Sequence, residues 1–143
     1  MAKQVEKVVA YIIRNQGSFR EILVFEHLDH PDAGIQVPAG TVQENEAIEA
    51  ALLREVKEEA GLEFTKPNKY LGKFEYFRKD RNELHLRNVF IIEPQEKLAN
   101  EWIHIVESSD EDKSLRFKFY WLEFENAAKV LAVDQGKYLS LVT

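Results

Sequence analysis

The chain contains no cysteine. It can form no disulfide, offers no thiol nucleophile and has no cysteine ligands for zinc. It also lacks any apolar run near the ~18 residues of a membrane-spanning helix. Its first residues, MAKQVEKVVAYII, lack the long apolar stretch of a secretory signal. The expected location is the cytoplasm, with no membrane partner. Basic residues are not in excess: 19 Lys and Arg stand against 25 Asp and Glu, for a net charge of −6. That balance excludes a sequence-independent grip on DNA or RNA phosphates. It leaves anionic small substrates open, because a bound metal ion inverts the local charge. No G-x-S-x-G nucleophile motif occurs, and no repeat, linker or low-complexity tract breaks the chain.

What remains is an ordinary globular composition, 45% apolar and 31% charged over 143 residues. That length suits one domain, residues 1–143, with a real core. Val5 to Arg14 and Phe19 to Glu26 read as strands joined by the turn at Asn15-Gln16-Gly17-Ser18. His27 to Gly34 reads as a loop, and Ile35 to Pro38 as a short extended piece. Tyr70 to Arg78 alternates aromatic and polar residues and pairs with Leu84 to Glu93 across the turn at Lys79 to Asn82. Glu101 to Glu107 and Leu115 to Phe124 complete the strands. A helix is expected at about 45–60, with Asn45 as N-cap and Gly61 at its left-handed end. A second is expected over Asn126 to Val133, capped by Glu125 or Asn126. Strands outnumber helices without regular alternation, which predicts an α+β domain with a mixed sheet.

The first helix carries the strongest chemical signal. Glu55, Glu58 and Glu59 share one face, at a spacing that leaves neighbouring Cβ atoms roughly 5–6 Å apart. Like charges so placed repel, and a divalent cation offsets them. At about 100° per residue, Ala47, Ile48, Ala51, Leu52 and Val56 form the apolar stripe. The three glutamates fall on or beside that stripe rather than opposite it, so they are expected to line a cleft. Clustered carboxylates on a rigid helix suit Mg²⁺ or Mn²⁺, with room left for water and phosphates. That combination serves phosphoanhydride hydrolysis. The bland reading of the same spacing is a surface helix with i,i+4 pairs such as Arg54 to Glu58. Glu49 reads as an ordinary surface charge.

Gly40, five residues, Glu46, seven residues, Arg54-Glu55-Val56, one residue, Glu58-Glu59, one residue, Gly61-Leu62 agrees with the Nudix box at every fixed position. The chain therefore resembles the MutT-like Nudix hydrolases, and the lead-in Val37-Pro38-Ala39 is similar too. The resemblance implies an α/β/α sandwich with a mixed sheet and a Mg²⁺-dependent hydrolase, with Mn²⁺ as a possible substitute. It implies that Glu55, Glu58 and Glu59 hold the metal and position or deprotonate the attacking water. The backbone carbonyl of Ala39, or neighbouring Gly40, would complete the metal shell. Glu46 and Arg54 would support the other glutamates. Within the family the base is either Glu55 or a loop carboxylate, for which Glu101, Glu107, Asp110, Glu111 and Asp112 are candidates.

The substrate class implied is a nucleoside diphosphate linked to another group: a dinucleoside polyphosphate, an ADP-sugar or a nucleoside triphosphate. The competing reading is a non-catalytic nucleotide-sensing or metal-binding module on the same fold. Tyr76, Phe77 and Arg78 are the candidate substrate contacts, since aromatic faces stack on bases. On alternation alone, Phe74 and Tyr76 read as packing. Arg20, Arg78, Arg81 and Arg87 could bind phosphate, and no spacing rule singles one out. His27, His30, His85 and His104 are not spaced as a metal cluster; at least three read as surface or strand-filling residues. No DNA partner is expected, and a homodimer is open because many members of the family are dimers.

Overall fold

The computed structural model describes residues 1–107 and 114–143. Its strands are β1 (Lys3–Gln16), β2 (Phe19–His27), β3 (Ile35–Gln36), β4 (Ala39–Thr41), β5 (Lys69–Arg78), β6 (Glu83–Ile92), β7 (Glu101–Glu107) and β8 (Ser114–Glu123). Two α-helices join them, α1 (Ile48–Ala60) and α2 (Phe124–Val130). The sheet runs β5-β6-β1-β2-β8-β7, with β3 beside β2 and β4 beside β1. The β1–β6 pair is parallel and the others antiparallel, so the sheet is mixed as expected.

Alternation along β1 explains the layers. Val8, Ala10 and Ile12 face one side and pack with Ala51, Leu52, Val56 and Ala60 of α1. Val9, Tyr11 and Ile13 face the other and pack with Ala127 of α2 and with Leu131, Tyr138 and Leu139 beyond it. The sheet is thus buried on both faces, with one helix on each.

The ends of the helices differ from expectation. Asn45 is no cap: it takes φ 64 in the turn Gln43–Glu46, where a left-handed third residue is needed. Helix α1 starts at Ile48 after an extended Ala47 that makes no side-chain cap. Ala47 is exposed and does not join the apolar stripe. Helix α2 starts at Phe124, after Glu123, and neither Glu125 nor Asn126 caps it. Gly61 does terminate α1 in the left-handed region, at φ 75. Strand β4 goes unread in the sequence because Ala39-Gly40-Thr41 has weak strand propensity. It forms through its register with Lys7, Val8 and Val9 of β1.

Candidate active site

Helix α1 and strand β4 build the site together. A Cβ placed on Gly40 would run into the Glu55 carboxyl group, so glycine is what leaves that carboxyl its place. Next to it, the Ala39 N–H donates to Glu59 Oε1 at 3.1 Å. The Glu55 and Glu59 carboxyl groups lie within hydrogen-bonding reach of one another. Burial pushes Glu59 well above the usual carboxylate range, and the neighbouring Glu55 charge adds to the effect. Burial also raises Glu55, against the pull of Arg54. Two carboxylates in contact cannot both be ionised without a proton or cation between them.

Arg54 organises the remaining carboxylates. Its Nε and Nη2 donate to the two Glu46 oxygens at 2.8 and 2.9 Å, a bidentate pairing. Its Nη1 donates to Glu55 at 2.8 Å and reaches Glu58 at 3.4 Å, and Nη2 also meets the Thr41 carbonyl at 3.1 Å. Glu46 accepts the Gln43 N–H as well. The bond from Arg54, followed by that from Gln43, holds its carboxyl down to about 2. Glu46 and Arg54 meet because the turn folds back on α1, since Glu46 precedes the helix.

The structure gathers Glu55, Glu59, Gly40 and Ala39, but not Glu58 as an inward group. Glu58 is 53% exposed on its side chain and leans toward Arg54. Among the described residues no three His, Cys, Asp or Glu converge into a ready metal cage. The donor set still fits a hard cation: two adjoining carboxylates, with a third one helical turn away, all offering oxygen. Ala39 meets Glu59 through its N–H. Of the loop candidates, Glu101 is exposed on the same face of β7 as exposed Ile103 and Ile105, whereas Trp102 and His104 of β7 reach α1. Glu107 ends β7, and Asp110, Glu111 and Asp112 lie outside the described residues.

Gly40 and Ala39 also line a cleft of about 580 Å³ on the other side of β4. That volume is within the usual range for small-molecule sites. Lys7, Tyr76, Arg78, His85, Arg87 and Gln135 are among its walls. Tyr76 and Arg78, two of the candidate substrate contacts, line this cleft. Phe77 does not: it is 50% exposed, and the strand pleat turns it to the opposite face. Phe74 is packing, stacked on Tyr138 at 4.3 Å. The surroundings of two residues already named as candidates, Arg87 and His104, were not legible in the sequence. Arg87 is buried in the cleft wall. His104 Nε2 bonds the Glu58 carbonyl at 2.9 Å, steadying the last turn of α1. Their partners are distant in sequence, so no local signal marks them.

The comparisons agree with this architecture. A protein of Bacillus subtilis (strain 168), YtkD, provisionally named an 8-oxo-dGTP diphosphatase, is 39% identical over 74 residues. That match takes in 50% of this chain and 45% of the relative, so it spans less than half the length of that curated protein. The MutT NUDIX hydrolase of Burkholderia pseudomallei superposes with a TM-score of 0.70 at 20% identity, covering 99% of each chain. The NUDIX domain of Shewanella oneidensis NrtR, solved with ADP ribose, gives 0.69 at 16% identity, covering 99% of this chain and 87% of that one. These structures share the fold, an α+β sandwich around a mixed sheet. The model of the NUDIX domain matches residues 3–142, and with that match over nearly its whole length the chain belongs to the NUDIX domain family.

Proposed function

We propose that the protein hydrolyses a phosphoanhydride bond in a nucleoside diphosphate linked to another group, with Mg²⁺ as cofactor and Mn²⁺ able to replace it. The observation that carries this reading is the pair of neighbouring carboxylates, Glu55 and Glu59, with Glu55 set against a glycine that also lines a cleft. Glu55, Glu58 and Glu59 would hold the metal, with the Ala39 carbonyl. When bound, such an ion neutralises a diphosphate, polarises phosphorus and lowers the pKa of water.

The chain's own residues supply the rest. Glu55, raised by burial, is suited to accept a proton from the attacking water. Arg54 fixes Glu55 and is itself fixed by Glu46. Tyr76 and Arg78 contact the substrate in the cleft, and Phe77 is left out. ADP ribose, bound by the NrtR domain, and 8-oxo-dGTP, in the name of YtkD, both contain a nucleoside diphosphate bearing a further group. That shared unit supports the substrate class and leaves the further group open. Residues 1–143 act as one hydrolase domain in this reading, in the cytoplasm and without a DNA partner.

Glu55→Gln is expected to lower turnover by about 10²–10⁴-fold while far-ultraviolet circular dichroism and melting stay close to wild type. ADP-ribose, diadenosine polyphosphates, NADH and nucleoside triphosphates, each with Mg²⁺ or Mn²⁺, form the assay panel. Undiminished phosphate release by the variant would sink the proposal. A second reading, a nucleotide-binding module without turnover, is favoured by the outward Glu58. It predicts saturable binding of a panel member that the metal-loaded protein leaves intact.

A further inference from the structure

Among the described residues, Arg20 donates to the Val142 and Thr143 carbonyls and Arg81 is exposed to solvent. Arg14 pairs with Glu21, Arg54 with Glu46 and Glu55, Arg78 with Asp80, and Arg116 with Asp29. Arg87 is different. It is only 5% exposed, yet among the described residues it pairs with no carboxylate, and its buried Nη1 finds no hydrogen-bond acceptor. A buried guanidinium without an acceptor is costly, because the charged group has lost its water. Its flat face is held by the Tyr76 ring, with the guanidinium carbon 4.0 Å from the ring centre. Stacking occupies the face and leaves the N–H edge free to donate.

The charge beside it adds to the imbalance. Lys7 lies directly opposite Arg87 in the β1–β6 register, and like charges facing one another across strands are destabilising. The Lys7 ammonium bonds a neutral hydroxyl, Thr41 Oγ1, at 2.6 Å. Asp80 is engaged by Arg78, which leaves Asp32 as the other carboxylate on the cleft wall. Two cations thus stand side by side in the cleft, one of them buried and lacking an acceptor. Gly40 is in the same wall.

We infer that Arg87, held flat on Tyr76 and flanked by Lys7, grips a phosphate group of the substrate, so that the cleft beside Gly40 takes the phosphate chain rather than the base alone. The inference rests on the reading of the α1 carboxylate face as the hydrolytic centre. Arg87 is then a specificity-determining contact, which selects substrates with a charged phosphate chain over neutral nucleosides.

The test is metal-free equilibrium binding in EDTA, with inorganic pyrophosphate as the anion probe and adenosine and guanosine as neutral probes. Wild type should bind pyrophosphate saturably, and Arg87→Met should weaken it about 10- to 100-fold, the scale of a charge-assisted hydrogen bond. Arg87→Lys should lose less than Arg87→Met, and Tyr76→Leu should weaken binding by removing the platform. Both also serve if Arg87→Met does not fold. Pyrophosphate that fails to saturate wild type, or that binds wild type and the variants equally, overturns the inference. Nucleoside binding that falls in Arg87→Met while pyrophosphate binding holds also overturns it, in favour of a base contact. Turnover by Glu55→Gln is read separately, so failure of the hydrolytic reading and failure of the anion site are distinguishable.

Discussion

Gly40 shows how much of the site depends on a single missing methyl group. The Glu55 carboxyl occupies the space that a Cβ would take. Glu55 is the far end of a flexible side chain, so Gly40→Ala should fold normally while displacing that carboxylate. Its expected signature is a loss of activity of about 10- to 100-fold, the usual cost of disturbing groups that position metal ligands, with an unchanged melting curve. Glu59 makes the complementary case. Its carboxyl is raised in the fold by burial first and by Glu55 second. A carboxylate raised on folding costs stability once pH exceeds its unfolded value of about 4.3, and the full cost is present above its folded value. In EDTA, Glu59→Gln should therefore be more stable than wild type at neutral pH, and the advantage should vanish as pH falls toward 4. Urea denaturation at several pH values reads this directly. A variant less stable than wild type at pH 7 would show that the Ala39 bond outweighs the carboxylate repulsion.

At the scale of elements, helix α1 was legible because its information is local. The i, i+3, i+4 glutamates and the apolar stripe at Ala51, Leu52 and Val56 specify both a helix and the side it buries. Its start was not legible, since Asn45 favours caps and left-handed turns alike and the turn won. Strand β4 and the contact of His104 with Glu58 depend on pairing across many residues, and no local periodicity encodes them. Phe77 differs from these: it follows Tyr76 directly in continuous register with β6, so plain alternation along β5 turns it away from the cleft. The C-terminal end of α1 offers a test of such long-range fitting. Gly61 sits at φ 75, and a Cβ there would lie 2.9 Å from His104 Nδ1. Gly61→Ala should cost about 1–3 kcal/mol in urea denaturation, from left-handed strain and the crowded ring. Adding His104→Ala should recover the crowding share alone, as a non-additive double-mutant cycle.

At the scale of the molecule, the two faces of the sheet do different work, and the site sits where they meet. Helix α1 covers one face and supplies the carboxylates. The other face is covered by α2 and the chain after it, where Tyr138 is 5% exposed and stacks on Phe74. That covering segment is tied to the site through Gln135. The Tyr11 hydroxyl donates to its carbonyl, and the Val37 N–H donates to its side-chain oxygen at 2.8 Å. Val37 leads directly into Pro38, Ala39 and Gly40. Tyr138→Ala should thus have two effects. It should cost about 3–5 kcal/mol, as large-to-small aromatic substitutions in cores do, which a domain with about 5–15 kcal/mol of stability can survive. It should also loosen Gln135, so that native-state hydrogen exchange at the Val37 amide accelerates more than at the Leu52 or Val56 amides of α1. Equal acceleration at all three would mean that the variant acts only through global unfolding and that the C-terminal segment does not brace the glycine loop. Faster exchange at Val37 alone would place control of the loop on the face of the sheet opposite the carboxylate helix.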